Sequence, residues 1–253
     1  MVDEPYWVVE VDGRPADPEV LAAYGSDGHF TAMQVRDGRT RGLDFHLARL
    51  DGAHRELFGT GLDGGLVRDR IRHALGAVPD ASVRVNAFRD ALVVTVRPPA
   101  DTPVRPHAMR SVRYRRPRAH LKYLKGFREG YYADRPAPPE LVEDLFVGDD
   151  GLISEGSITN VGLWRGASVV WPDAPALAGI MMQVLRRELA AGGVAQAVEP
   201  VRLADVSSYD AMFVCNSRGW APVDRVDDVP VPVPPAVVKT LADAYARAPR
   251  DAI

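Results

Sequence analysis

The chain has 253 residues, a formal net charge of −3 and a pI near 6.1, with 46% hydrophobic and 26% charged residues. That length can bury a large core in one big domain or two modest ones, and the charge offers no global field to draw in nucleic acid or an anionic membrane. The N-terminus shows no basic region followed by an apolar stretch, nothing approaches a bilayer-spanning run, and Cys215 has no disulfide partner. A cytoplasmic protein with no nucleic-acid, membrane or metal partner is therefore expected.

Strand and helix signals alternate over the first hundred residues. Residues 7–11 read as a strand closed by Asp12-Gly13, and residues 30–35 as another closed by Asp37-Gly38. Leu47, Leu50, Ala53 and Leu57 recur at helical spacing within residues 45–58. Leu66, Ile71, Ala74 and Leu75 do so within residues 66–75. Residues 83–88 and 91–96 make a hairpin around Arg89-Asp90, so this part is α+β with a mostly antiparallel sheet.

Between residues 98 and 117, Pro98, Pro99, Pro103, Pro106 and Pro117 stop helices and suggest an interdomain connection. The same stretch and the residue after it carry Arg105, Arg110, Arg113, Arg115, Arg116 and Arg118, read as a solvated or interfacial cluster. Strands are then expected over residues 142–147, 152–155, 159–164 and 167–171, a helix over 177–191 stopped by Gly192-Gly193, a strand over 211–215 and a terminal helix over 235–248. The expected organisation is a small α+β domain over residues 1–105, a connection over 106–120 and a larger domain over 121–253.

Of the 31 basic residues, 28 are arginine, and the lysines are Lys122, Lys125 and Lys239. A chain that uses arginine wherever a plain positive charge suffices keeps lysine where an amine is needed. Amines form Schiff bases with aldehydes and guanidinium groups do not, so residues 120–127 are the first place to look for chemistry.

Four segments together resemble the class IV aminotransferase family of fold-type IV pyridoxal-phosphate enzymes. Asp27-Gly-His-Phe-Thr-Ala-Met-Gln-Val35, followed by Asp37-Gly38 and Phe45-His-Leu-Ala-Arg-Leu50, is similar to the family's opening. Leu121-Lys-Tyr-Leu124 is similar to the segment that carries its Schiff-base lysine. Asp150-Gly-Leu-Ile-Ser-Glu-Gly-Ser-Ile-Thr-Asn160 matches its hallmark, and Gly179-Ile-Met181 with Cys215-Asn-Ser217 completes the set.

The resemblance implies a two-domain fold-type IV architecture, a small α/β domain plus a larger β-barrel-like domain with helices, and pyridoxal 5′-phosphate as cofactor. It makes Lys122 the Schiff-base and proton-transfer residue and places Glu155 on the pyridine nitrogen. Arg49 becomes the phosphate anchor, joined by the N–H groups of Ile180 and Met181 at a helix N-terminus and by Ser217 or Asn216. Asn160 is expected to hold its own turn. Phe30 would line the substrate site, and Arg105 with His107 resembles the Arg-x-His pair that holds a substrate carboxylate in D-amino-acid aminotransferases. A loop reaching into the partner's pocket implies a homodimer.

The pattern departs at Phe127, where many aminotransferases have a tyrosine, and at Met182, where arginine is common; Tyr123 or Tyr131 could supply the missing hydroxyl. The Phe30-Thr31 pair, Leu121-Lys-Tyr-Leu124, Gly179-Ile-Met181 and Val214-Cys-Asn216 lean toward the lyase branch. The first reading is transfer of an amino group between an amino acid or amine and a 2-oxo acid. The alternatives are aminodeoxychorismate lyase, which forms 4-aminobenzoate and pyruvate, and a relative that has lost catalysis.

Overall fold

A computed structural model describes residues 6–125, 131 and 142–253, and their contacts divide the chain into two units. The first holds the described residues up to Asp101, with Leu121–Lys125 and Pro249–Ile253; the second holds Thr102–His120, Tyr131 and residues 142–248.

In the first unit, β-branched and small residues alternate with polar ones, which suits a sheet buried on one face. Its strands are β1 (Val8–Val11), β2 (Arg14–Pro15), β3 (His29–Arg36), β4 (Arg39–Arg41), β5 (Ala81–Phe88) and β6 (Ala91–Arg97), with β16 (Arg250–Ala252) from the far end of the chain. They form one antiparallel sheet in the order β16-β4-β3-β5-β6-β1-β2. After the single turn α1 (Val20–Ala23), helices α2 (Leu43–Phe58) and α3 (Gly64–Leu75) cover one face. Leu50, Val67, Ile71, Ala74 and Leu75 pack there on Met33, Val35, Val83, Val85 and Val94.

Helix α2 starts after Gly42, whose φ of 65° is left-handed backbone that favours glycine, and no side chain of Gly42 can cap it. Asp251 of β16 supplies the cap instead, accepting from the Leu43 N–H at 3.2 Å. The C-terminal strand thus helps to fix the helix on which Arg49 stands.

The second unit is built on a mixed nine-stranded sheet of β7 (His107–Arg113), β8 (Val142–Val147), β9 (Ile153–Gly156), β10 (Asn160–Arg165), β11 (Ser168–Pro172), β12 (Ala195–Glu199), β13 (Ala211–Asn216), β14 (Gly219–Val226) and β15 (Val229–Pro230). Its order is β12-β11-β10-β13-β14-β7-β8-β9, with β15 on β14; β7 runs parallel to both neighbours and β12 parallel to β11. Leu145, Val147, Ile153, Val161, Leu163, Val170, Val214 and Val223 are among its buried core. Helices α4 (Ile180–Ala191) and α5 (Pro235–Arg247) pack against each other.

Residues 107–113, expected within a connection, form strand β7 inside this sheet. The prolines flank them at Pro103, Pro106 and Pro117 but leave seven residues with every ladder N–H available. The helix expected over 177–191 begins only at Ile180, because side chains occupy both polar backbone groups of Leu177. Among the described residues, no helix is long and apolar enough to cross a membrane.

Candidate functional site

In the first unit, the lysine segment lies along the start of β3. The Phe30 N–H donates to the Lys122 carbonyl at 2.8 Å, the Leu124 N–H donates to the Gly28 carbonyl at 2.9 Å, and Tyr123 bridges to His29. Lys122 Nζ stands 4.8 Å from the centre of the buried Phe30 ring, and the Arg84 guanidinium carbon lies 3.8 Å from it. Lys125 by contrast is exposed, in an ion pair with Asp27 at 3.0 Å. Such a pair contributes little and is screened by solvent.

Thr31, next on β3, meets α2. Its Oγ1 lies 2.6 Å from His46 Nδ1 and accepts from Arg49 Nη2. Arg49 Nε is buried with no hydrogen-bond partner among the described residues. Burial pushes the Arg49 pKa down to about 9, still cationic at neutral pH. Burial, together with the charges of Arg49 and Lys122, holds His46 well below the ordinary histidine range. His29 Nε2 and His54 Nδ1 face each other at 3.2 Å, and burial, His54 and Arg49 bring His29 down to about 4. A guanidinium in such surroundings with a donor left over is arranged to receive an anion.

In the second unit the hallmark segment is held from two sides. Glu155 is buried at 2% exposure, with Arg116 at 3%, and Arg116 Nε donates to Glu155 Oε1 at 2.8 Å. A second Arg116 nitrogen donates to the Ser157 carbonyl at 3.0 Å, while Glu155 Oε2 accepts from the Leu177 N–H at 3.1 Å. Asn160 Nδ2 donates to the Leu177 carbonyl at 2.7 Å. Two hallmark residues therefore grip both polar groups of Leu177, three residues before α4. Gly179 is required there, since a Cβ would collide with Asn160 Oδ1. The glycine gives α4 no side-chain cap, so the N–H groups of Ile180 and Met181 keep the anion-binding character of a helix start.

Asn160 thus does not hold its own turn, contrary to expectation. Glu143 on β8 does: its Oε1 accepts from the Ile158 N–H (2.7 Å), the Thr159 N–H (3.1 Å) and hydroxyl (3.0 Å), and the Ser157 hydroxyl (3.4 Å). A Cβ on Gly156 would strike that oxygen. Burial raises Glu143 to about 7 in spite of these donors. Cys215 is buried and its thiol is pushed up, which removes it as a nucleophile at neutral pH.

Of the other expected residues, Asn216 uses its Oδ1 to close its own turn, accepting from the Arg218 N–H at 2.9 Å, and half-buried Ser217 sits in that turn. Arg105 is exposed just before β7, and its charge reinforces the burial that lowers His107. The His107 Nε2 is buried without a partner among the described residues. Tyr131 donates to Asp144 at 3.0 Å within a ring cluster with Tyr114 and Phe146, which commits one of the two hydroxyls considered for the Phe127 departure. Phe127 itself lies outside the described residues.

Sequence reasoning missed Arg116 and Glu143. Arg105, Arg110, Arg113, Arg115 and Arg118 are exposed, so Arg116 alone of that cluster is buried. Its neighbours in sequence carry no sign of this, whereas two acidic residues, Glu143 and Asp144, within a strand of otherwise apolar residues were a visible signal.

A family model described as "Amino-transferase class IV" matches residues 28–226. No curated protein matches the chain in sequence. Among solved structures, it is similar to 4-amino-4-deoxychorismate lyase from Pseudomonas aeruginosa, at 26% identity and a TM-score of 0.75, over 93% of this chain and 97% of that one. Branched-chain aminotransferase from Thermoproteus uzoniensis, with norvaline, aligns at 19% identity and a TM-score of 0.79, over 96% and 94%. A hypothetical aminotransferase from Mycobacterium tuberculosis in a PLP-bound form aligns at 20% identity and a TM-score of 0.75, over 95% and 98%.

Replacing Arg116 with methionine leaves Glu155 charged and buried without its partner, which is expected to cost roughly 3–5 kcal/mol in urea unfolding. A loss below about 1 kcal/mol, the scale of an exposed pair, would show that Glu155 does not depend on Arg116. The folded pKa of Glu143 lies above its ordinary value, so the folded chain holds a proton that the unfolded chain releases between pH 4.5 and about 7. Stability then falls as pH rises through that window and levels off above it. Glu143→Gln, which keeps an accepting oxygen, should flatten the decline when unfolding is followed across the window; equal slopes in the two proteins contradict the assignment.

Proposed function

Because the chain belongs to the class IV aminotransferase family and has fold-type IV architecture, we propose that it is a pyridoxal-phosphate-dependent aminotransferase. It would move an amino group between an amino acid or amine and a 2-oxo acid. The observation that carries this reading is an amine and an under-satisfied guanidinium on one unit. Lys122 is fixed by main-chain bonds to β3, Arg49 keeps a buried donor free, and the charges of both bear on His46.

The residues present fit the cofactor. In the first unit Arg49 Nε, buried and unpartnered among the described residues, suits a phosphate; in the second the Ile180 and Met181 N–H groups at a helix start and the Ser217 hydroxyl suit an oxyanion, while the Asn216 oxygen is already used within its turn. Glu155 has lone pairs left beyond those taken by Arg116 and Leu177, so it can accept from a ring N–H. Pyridoxal phosphate supplies an electron sink that stabilises negative charge on the carbon beside the substrate nitrogen. Lys122 Nζ would hold the cofactor at its aldehyde group, and its amine would give and take the proton at the carbon beside the substrate nitrogen. Arg116 holds the Glu155 carboxylate; Phe30 in the first unit is a candidate substrate contact, and so, taken by itself, is the Arg105–His107 pair in the second.

A second reading is supported by the 26% identity to the Pseudomonas lyase and by Phe30-Thr31: release of 4-aminobenzoate and pyruvate from aminodeoxychorismate. An assay of the protein with pyridoxal phosphate against panels of amino donors and 2-oxo acids, and separately with aminodeoxychorismate, decides between them. Amino transfer is expected. Lys122→Ala should reduce it by at least about a hundredfold, the lower range of what a general acid–base group contributes, and Lys125→Ala should leave it near wild type. Release of 4-aminobenzoate with no transfer from any donor would replace the first reading by the second, and no turnover of either kind would leave a relative without catalysis.

A further inference from the structure

We propose that Thr31 and His46 are positioning residues for Arg49, aiming its free donors at the phosphate of the bound cofactor. The inference rests on the reading of Arg49 as phosphate anchor and assigns two side chains that hold it.

A threonine hydroxyl has one proton and two lone pairs, whereas a guanidinium only donates. Since Arg49 Nη2 donates to Thr31 Oγ1, the hydroxyl proton is available for His46 Nδ1, 2.6 Å away. Burial and the neighbouring cations keep the His46 ring neutral, so one of its nitrogens is bare. The hydrogen-bond chain makes that nitrogen Nδ1. The opposite polarity would have both neighbours donate to Thr31 and leave its own proton without an acceptor among the described residues, in a site where an unmet donor is costly.

The chain of bonds ends on rigid elements. Thr31 is fully buried on β3, in register with Val85 of β5, and His46 and Arg49 stand three residues apart on one face of α2. One edge of the guanidinium is therefore tied to the sheet, while Nε–H, buried and unpartnered, remains for an incoming oxyanion. Loss of the Thr31 bond would free the guanidinium to rotate, and the phosphate would meet a donor that must first be ordered.

The test is titration of the purified protein with pyridoxal phosphate and with pyridoxal, which lacks the phosphate, followed by absorbance and tryptophan quenching. Thr31→Val and His46→Leu should weaken pyridoxal phosphate binding about tenfold, as for loss of a hydrogen bond to a charged group, and leave pyridoxal binding unchanged. Thr31→Ser, and His46→Asn, whose Oδ1 can accept where Nδ1 did, should restore the affinity. Wild-type affinity in both apolar variants while Arg49→Ala binds weakly would overturn the positioning role alone, and an equal loss for both ligands would do so as well, since that marks a structural defect. Pyridoxal phosphate binding as tight in Arg49→Ala as in wild type, or none in wild type, would instead strike the anchor reading and take the inference with it.

Discussion

The ion pair between Arg116 and Glu155 is the interaction on which the second unit's site depends. Both groups are almost wholly buried, and charges taken out of water at that depth are tolerated only when paired and hydrogen-bonded. Here each finds more than the other: Arg116 also binds the Ser157 carbonyl, and Glu155 also binds the Leu177 N–H. The pair thus joins the segment after β7, the hallmark turn and the approach to α4. Asn160 closes the arrangement on the Leu177 carbonyl, and the need for glycine at position 179 follows from the closeness of Asn160. The hallmark residues specify where a helix begins as well as what a carboxylate faces.

The first unit is built on the opposite principle. Its buried guanidinium is bonded on one side and left with an open donor on the other. Stability alone would favour satisfying that donor, and an anion placed there would do so. Around it stand three buried histidines, all held below the ordinary histidine range, which leave the positive charge to Arg49 and Lys122.

Much of this was legible in the sequence where local pattern decides structure. The α2 and α3 helices follow from the spacing of Leu47, Leu50, Ile71 and Leu75, and the β5–β6 hairpin from its alternation around Arg89-Asp90. The hallmark pattern pointed to Glu155 and Asn160; the scarcity of lysine pointed to residues 120–127, and the resemblance to Lys122 within them. What stayed hidden depends on partners distant in sequence. Strand β16 is three residues long and pairs with β4 across some two hundred positions; β7 sits among prolines and arginines that read as a connection. Arg116 differs from Arg115 only in the direction the fold turns it, and Asn160 reaches Leu177 rather than its own turn.

The central chemical assignment is the identity of the reactive amine. Borohydride reduction of the protein supplied with pyridoxal phosphate, followed by peptide mapping, tests it. A yellow absorption band that reduction converts into a stable pyridoxyl adduct on the peptide containing Lys122 is the expected result. An adduct on Lys125 or Lys239, or no band and no adduct, would contradict the assignment.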